Sequence, residues 1–287
     1  MLTRRRLLAL SGGLVAATAA GCAGAQPASA LERARKAGAI RVGIAGERPY
    51  GYLDTDGSVT GAQPEVARAA LATLAVDGLE AVQVSFDKLI PGLRAGQYDM
   101  ITAGMTITPA RCADVAFSRP DFIARPAFLV RSGNPHRIRT FRDVARTGVR
   151  LGVLKGATER DYARAAGVAD DHLVEYSGQS TLFRAAAAGD VPVAALTGLS
   201  LNDELRRNPG SGVEVTTPVD PIVDGHPVTP AGAFATRAED VDLRTQFDAA
   251  LGALQASGEW LRITAPFGFA VSNLPPPGLA TSTLCTP

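Results

Sequence analysis

Apolar residues along this chain follow two alternating rhythms. Short runs of three to five, at 40–44, 82–85, 99–103, 151–154, 174–176 and 193–196, have the length and bounds of buried strands. Segments with helical spacing lie between them, at 31–37, 64–74, 89–95, 141–145, 159–166, 181–188 and 241–257, several stopped by a glycine such as Gly96 or Gly258. Strand and helix alternate, which predicts an α/β fold with largely parallel sheets. Asp54–Gly57 carries a hairpin signal, and Ser132-Gly133-Asn134-Pro135 is a strong breaker that opens a second α/β unit. Extended runs at 127–130 and 232–236 predict two crossings between the units. Residues 218–230 predict a loop, 264–269 a turn and tail, and the prolines at 275–277 an end to regular structure.

The head of the chain gives its destination. Arg4-Arg5-Arg6 makes a twin-arginine start, and 7–20 are apolar or small. That run is shorter than the roughly 20 apolar residues of a membrane span and fits the core of an export signal. Ala19-Ala20-Gly21-Cys22 resembles a lipobox. Residues 1–21 are therefore expected to leave as a signal peptide, Cys22 to carry lipid, and 22–30, small and polar, to act as a tether. The alternative is an ordinary cleavage site beside a chance cysteine.

Cleavage removes three arginines and no acid, leaving 26 basic against 28 acidic residues. That near-balance gives no basic face and no reason for nucleic acid as a partner. Cys112 and Cys285 remain after Cys22. In an exported chain they favour a disulfide over two unpaired thiols. His136, His172 and His226 are scattered, and neither a nucleophile–base pair nor metal-ligand spacing is evident, so no catalytic residue, metal or cofactor is expected.

Chemistry concentrates at 99–120. A buried strand opens onto Gly104, then Thr106 and Thr108. Thr108 suits a helix N-cap and Pro109 the first helical position. Arg111 then falls in the first turn, where the helix macrodipole favours anions, so it needs an anionic partner. Two hydroxyls, a glycine backbone and a guanidinium make a carboxylate receptor. The junction from Lys155 to Glu159 parallels it. Both lie at carboxyl ends of strands, where open α/β sheets bind ligands, and a cleft between two lobes would bring them face to face.

Ordered residues through the chain carry a resemblance. They include Val42-Gly43-Ile44, Pro64-Glu65-Val66-Ala67, Ile90-Pro91-Gly92-Leu93, Gly96-Gln97-Tyr98-Asp99, Ala103 to Pro109 with Arg111, Gly152-Val153 with Gly156, Ser257-Gly258-Glu259-Trp260 and Phe267-Gly268-Phe269. The chain resembles the extracellular solute-binding proteins of ABC importers, family 3, which include the polar amino acid receptors. Glu47-Arg48-Pro49-Tyr50, Pro109 to Ala113 with Cys112 after Arg111, Gly178-Gln179-Ser180 and Leu284-Cys285 bring it nearest the ectoine and hydroxyectoine receptors.

The resemblance implies a type II periplasmic-binding-protein-like fold, with two lobes, two crossing segments and a ligand cleft. Lobe one would comprise 31–128 and 232–287, and lobe two 129–231. It implies a monomeric receptor, exported and either lipid-anchored at the outer face of the cytoplasmic membrane or periplasmic. Such a receptor delivers a small zwitterion to an ABC permease and its ATPase. It also supports a Cys112–Cys285 bridge. In the ligand set it implies, Arg111 takes a carboxylate with Thr106, Gly104 and Thr158, while Glu47 and Glu159 take a cationic group. Tyr50 and Phe86 cover the face of a cationic ring.

Two departures pull apart. Thr106 stands where ectoine receptors carry an aromatic, and matches amino acid receptors. Thr197 stands where amino acid receptors carry an ammonium-binding Asp. Losing a carboxylate opposite a buried ammonium is costly, which favours a ring-type zwitterion over an amino acid. A dehydratase-type enzyme on the same fold ranks below both, because neither a nucleophile–base pair nor metal-ligand spacing is evident.

Overall fold

The computed structural model describes residues 28–286. The expected signal peptide, Cys22 and most of the tether lie outside the described residues. The first helix, Ala30–Ala37, is closed by a capping box between Ser29 and Glu32 and ended by Gly38 in the left-handed region.

Two five-stranded sheets carry the fold. In the first the order is Gly78–Gln83, Ala39–Ile44, Met100–Ile101, Ala235–Thr236, Ala116–Phe117. In the second it is Leu173–Tyr176, Leu151–Leu154, Val193–Thr197, Pro126–Arg131, Val213–Val215. The first three strands of each run parallel, and the fourth runs antiparallel to both of its neighbours. That fourth strand is a crossing in both cases. Pro126–Arg131 enters the second lobe, and Ala235–Thr236 returns to the first. The repetition gives two lobes of the same plan, an α/β architecture as the alternating pattern predicts.

Helices cover both sheets. In lobe one, Val66 and Leu71 pack with Leu243, Phe247 and Leu251 around Trp260 and Phe234. In lobe two, Phe128, Phe141, Leu151, Val153 and Tyr162 form one core. A further cluster runs through both lobes, from Phe86, Leu89 and Ile101 to Leu154, Ala157 and Leu196. The lobes are therefore packed against one another. Among the described residues no helix is long and apolar enough to cross a membrane.

Several elements depart from the periodicity. Helix Gly198–Arg207 was not expected from its spacing; Thr197 caps it by accepting from the Ser200 N–H. Residues 218–230 contain a short hairpin, Ile222–Val223 with His226–Pro227. Helix Glu259–Thr264 was not expected from the pattern, and the 3-10 turn Ala265–Phe267 stands where 264–269 predicted a turn and tail. They are stabilised by burial of Trp260, which leaves no trace in a short periodic window. Regular structure also resumes after the triple proline, as Thr281–Cys285. The Cys112–Cys285 disulfide holds that helix, with its Cα atoms 5.6 Å apart.

Candidate ligand-binding cleft

The parallel strands point their carboxyl ends at the interface between the lobes, and the polar residues there follow directly. Phe86 comes after Gly78–Gln83, Glu47 after Ala39–Ile44, and Gly104, Thr106 and Arg111 after Met100–Ile101. From lobe two, Thr158 and Glu159 follow Leu151–Leu154, and Thr197 ends its strand. These eight residues surround one cavity, with Ala157 and Leu196 completing its wall. The cavity measures about 20 Å³, room for roughly one water. A ligand of amino acid size enters only if the lobes part.

Tyr50 stands apart from that wall. Its ring is buried in lobe one, stacked on Phe122 at 5.1 Å between centroids and edge-on to Phe269. Only its hydroxyl reaches across, donating to Thr197 Oγ1 at 2.9 Å. The expected ring-facing role is thus not the position the structure gives it. Phe86 does line the cavity, with the Arg111 guanidinium 5.4 Å from its ring centre.

Gly104 lines the cavity, but its N–H is already engaged, donating to Gln63 Oε1 at 2.7 Å. Its φ is +71°, and a Cβ there would lie 2.5 Å from the Tyr50 ring. Glycine is therefore required on two counts. Behind it lies a buried polar chain. Gln63 Nε2 donates to Asp121 Oδ2 at 3.2 Å, and Trp260 Nε1 donates to Asp121 Oδ1 at 2.7 Å. Burial pushes the Asp121 carboxyl up to about 7 against those two donors. Sequence reasoning did not identify this support. Gln63 and Asp121 have no charge pattern or spacing that singles them out.

Thr108 caps helix Pro109–Cys112 as expected, accepting from the Arg111 N–H. No residue of that helix is buried. It is anchored instead by its cap, by the disulfide from Cys112, and by the Arg111 side chain. The guanidinium spans the cleft, Nη1 donating to Thr106 O at 2.7 Å and Nη2 to Gly156 O at 2.8 Å. Burial lowers its pKa, while Tyr162, Glu159, Asp161 and Glu47 oppose that shift. Thr158 lies in helical backbone and makes no capping bond through its side chain, so capping does not explain its position.

Two buried carboxyls face this cation. Burial raises Glu47 to about 8; the Ser200 hydrogen bond and Arg111 pull it down, while Glu159 pushes it further up. Burial likewise raises Glu159 to about 7, opposed by its own main-chain N–H and by Arg111. Placing two acids and one guanidinium in so dry a site costs free energy unless charges are matched.

The model for bacterial extracellular solute-binding proteins, family 3, matches residues 40–269. The chain belongs to this family. It is a solute-binding protein of an ABC importer. Over 260 residues it is 32% identical to a probable amino-acid ABC transporter periplasmic-binding protein, y4tE, of Sinorhizobium fredii, covering 89% of this chain and 86% of that one. The L-arginine-binding protein of Pseudomonas aeruginosa is 28% identical over 232 residues, 78% of this chain and 85% of its own. Among solved structures, EhuB in complex with hydroxyectoine superposes with a TM-score of 0.80 at 34% identity, covering 89% of this chain and 97% of EhuB.

Proposed function

We propose that this solute-binding protein captures hydroxyectoine or ectoine, and that Arg111, Glu47, Glu159, Phe86, Thr106, Thr158 and Thr197 hold it. One observation carries the reading: a guanidinium and two carboxyls converge on a single buried cavity that has Thr197, not an acid, at its far wall. Arg111 matches a carboxylate with a planar fork. Glu47 and Glu159 match a cation delocalised over two N–H groups, and Phe86 covers its face. The similarity to EhuB, whose structure holds hydroxyectoine, supports the same ligand class. Bound ligand replaces the two main-chain carbonyls that Arg111 now engages, which requires the lobes to open and reclose.

The second reading, a polar amino acid, draws on Thr106 and on the arginine-binding relative. Calorimetry separates the two. Hydroxyectoine or ectoine should bind in the micromolar range or tighter, roughly −8 kcal/mol. Heat only with arginine or another amino acid overturns the first reading. The cleft is read as a binding site without turnover, so ligand recovered after incubation should have an unchanged mass. Delivery goes to a membrane permease and its ATPase, with the receptor held at the membrane by lipid on Cys22. Release of the receptor from membranes on Cys22→Ala tests that anchor.

A further inference from the structure

Two buried residues of lobe two lie outside the cavity wall yet touch the segment that presents Glu47. Gln179 begins helix Gln179–Ala188, and Ser200 lies in the first turn of Gly198–Arg207. The Gln179 side chain treats Arg48 as a neighbouring strand would. Its Oε1 accepts from the Arg48 N–H at 2.9 Å, and its Nε2 donates to the Arg48 carbonyl at 2.7 Å. The same Nε2 donates to the Ser200 carbonyl at 2.9 Å. Only one amide orientation satisfies two carbonyls and one N–H. Ser200 Oγ donates to Glu47 Oε1 at 2.6 Å. The Arg48 side chain takes no part in this; it lies over the Tyr52 ring, 3.6 Å from the ring centre.

We infer that Gln179 and Ser200 are positioning residues that clasp Glu47–Arg48 across the cleft, so that they set how readily the lobes close, and hence affinity, without choosing the ligand. The inference deepens the proposed capture of a zwitterion and rests on closure being part of it. The physical basis is where each bond goes on opening. The Ser200 carbonyl is in Gln179's own lobe and stays with it, so the amide is held aimed at Arg48. The two bonds to Arg48 and the one to Glu47 exist only when the lobes meet. They are made to main chain and to one carboxylate oxygen, and none of them involves a ligand atom. Glu47 Oε1 is held by Ser200, so one carboxylate links the clasp to the cavity that it lines.

The test uses the full chain with one spin label on each lobe. Gln179→Met keeps the side-chain length and removes its donor and acceptor. Without ligand, the closed fraction of the inter-lobe distance distribution should fall in Gln179→Met. With hydroxyectoine, dissociation should speed about tenfold with association unchanged, about 1.4 kcal/mol, and the preference for hydroxyectoine over arginine should be preserved. A role confined to holding lobe two together would lower thermal stability and leave the ligand-free distances unchanged, which overturns the inference. Should Gln179→Met fail to fold, Ser200→Ala removes a single hydroxyl and should shift the distances in the same direction; no shift there is equally fatal. If hydroxyectoine fails to bind even the parent protein, the proposed ligand falls, while the ligand-free distances still decide the clasp.

Discussion

On the Arg111 flank of the cleft, a lobe-one side chain reaches main-chain carbonyls of both lobes, whereas on the Glu47 flank lobe-two side chains reach back to lobe one. The first flank is built around a cation on a short helix with no buried residue of its own. The second is built around a carboxyl and a stretch of backbone gripped by neutral side chains. The bonds of Arg111 to Thr106 and Gly156 stand where a ligand carboxylate would compete. The bonds of Gln179 to Arg48 leave ligand atoms out altogether. On the proposed reading, one flank couples closure to the chemistry of the ligand, and the other to the geometry of the lobes.

Variants can sharpen or break that contrast. Arg111→Ala should have the largest effect, removing the guanidinium that lines the cavity and weakening hydroxyectoine binding by roughly 2–5 kcal/mol in calorimetry. Survival of near-parent affinity would remove the ligand role from that flank. Glu47→Gln keeps the shape and a partner for Ser200 while deleting the charge. It should cost about 1.5–3 kcal/mol of affinity, with a smaller change in ligand-free closure than Gln179→Met produces.

A pH titration probes the acids directly. In the closed form Glu47 and Glu159 lie at about 8 and about 7, above their ordinary 4.5. A raised value favours the closed, ligand-free form below the ordinary pKa, and that advantage is lost as pH rises through 7 and 8. Inter-lobe distances measured without ligand should therefore lengthen between about pH 5 and pH 8.5. Glu47→Gln should flatten the upper part of that curve, and an unchanged profile would separate the acids from closure. The smallest effect is expected from Tyr50→Phe. Loss of its hydroxyl from Thr197 removes one cross-lobe bond, about 1 kcal/mol, seen as a severalfold faster release of hydroxyectoine.

What could be read ahead of the structure followed charge and period. Arg111 was visible because a cation in the first turn of a capped helix asks for an anion, and Glu159 because it opens a helix after a strand. Gln63, Asp121 and Ser200 gave no such signal. Gln63 and Ser200 are neutral residues in helices and Asp121 lies between strands; the partners they meet stand 21 to 153 positions away, and no local window contains them. Helix Gly198–Arg207 was hidden for a related reason. It opens on a glycine, and its cap, Thr197, is also the last residue of the preceding strand.

Tyr50 shows the limit of a family resemblance as a guide. The resemblance implied that its ring covers a ligand ring. Packing against Phe122, Phe269 and Gly104 turns its face into lobe one. The sequence by itself determined the alternation of strands and helices and the charged residues that end at the strand tips, because periodicity and charge are local properties; the two-lobe plan came with the family resemblance of its ordered motifs. Only the tertiary structure decided which of those tips meet, that Gly104 gives its N–H to Gln63, and that Gln179 closes on the backbone of Arg48. Those outcomes depend on contacts between residues far apart in the chain, within lobe one for Gly104 and between the strand tips of the two lobes for Gln179, where each buried polar group must find a partner or lose the hydrogen bonds it had in water.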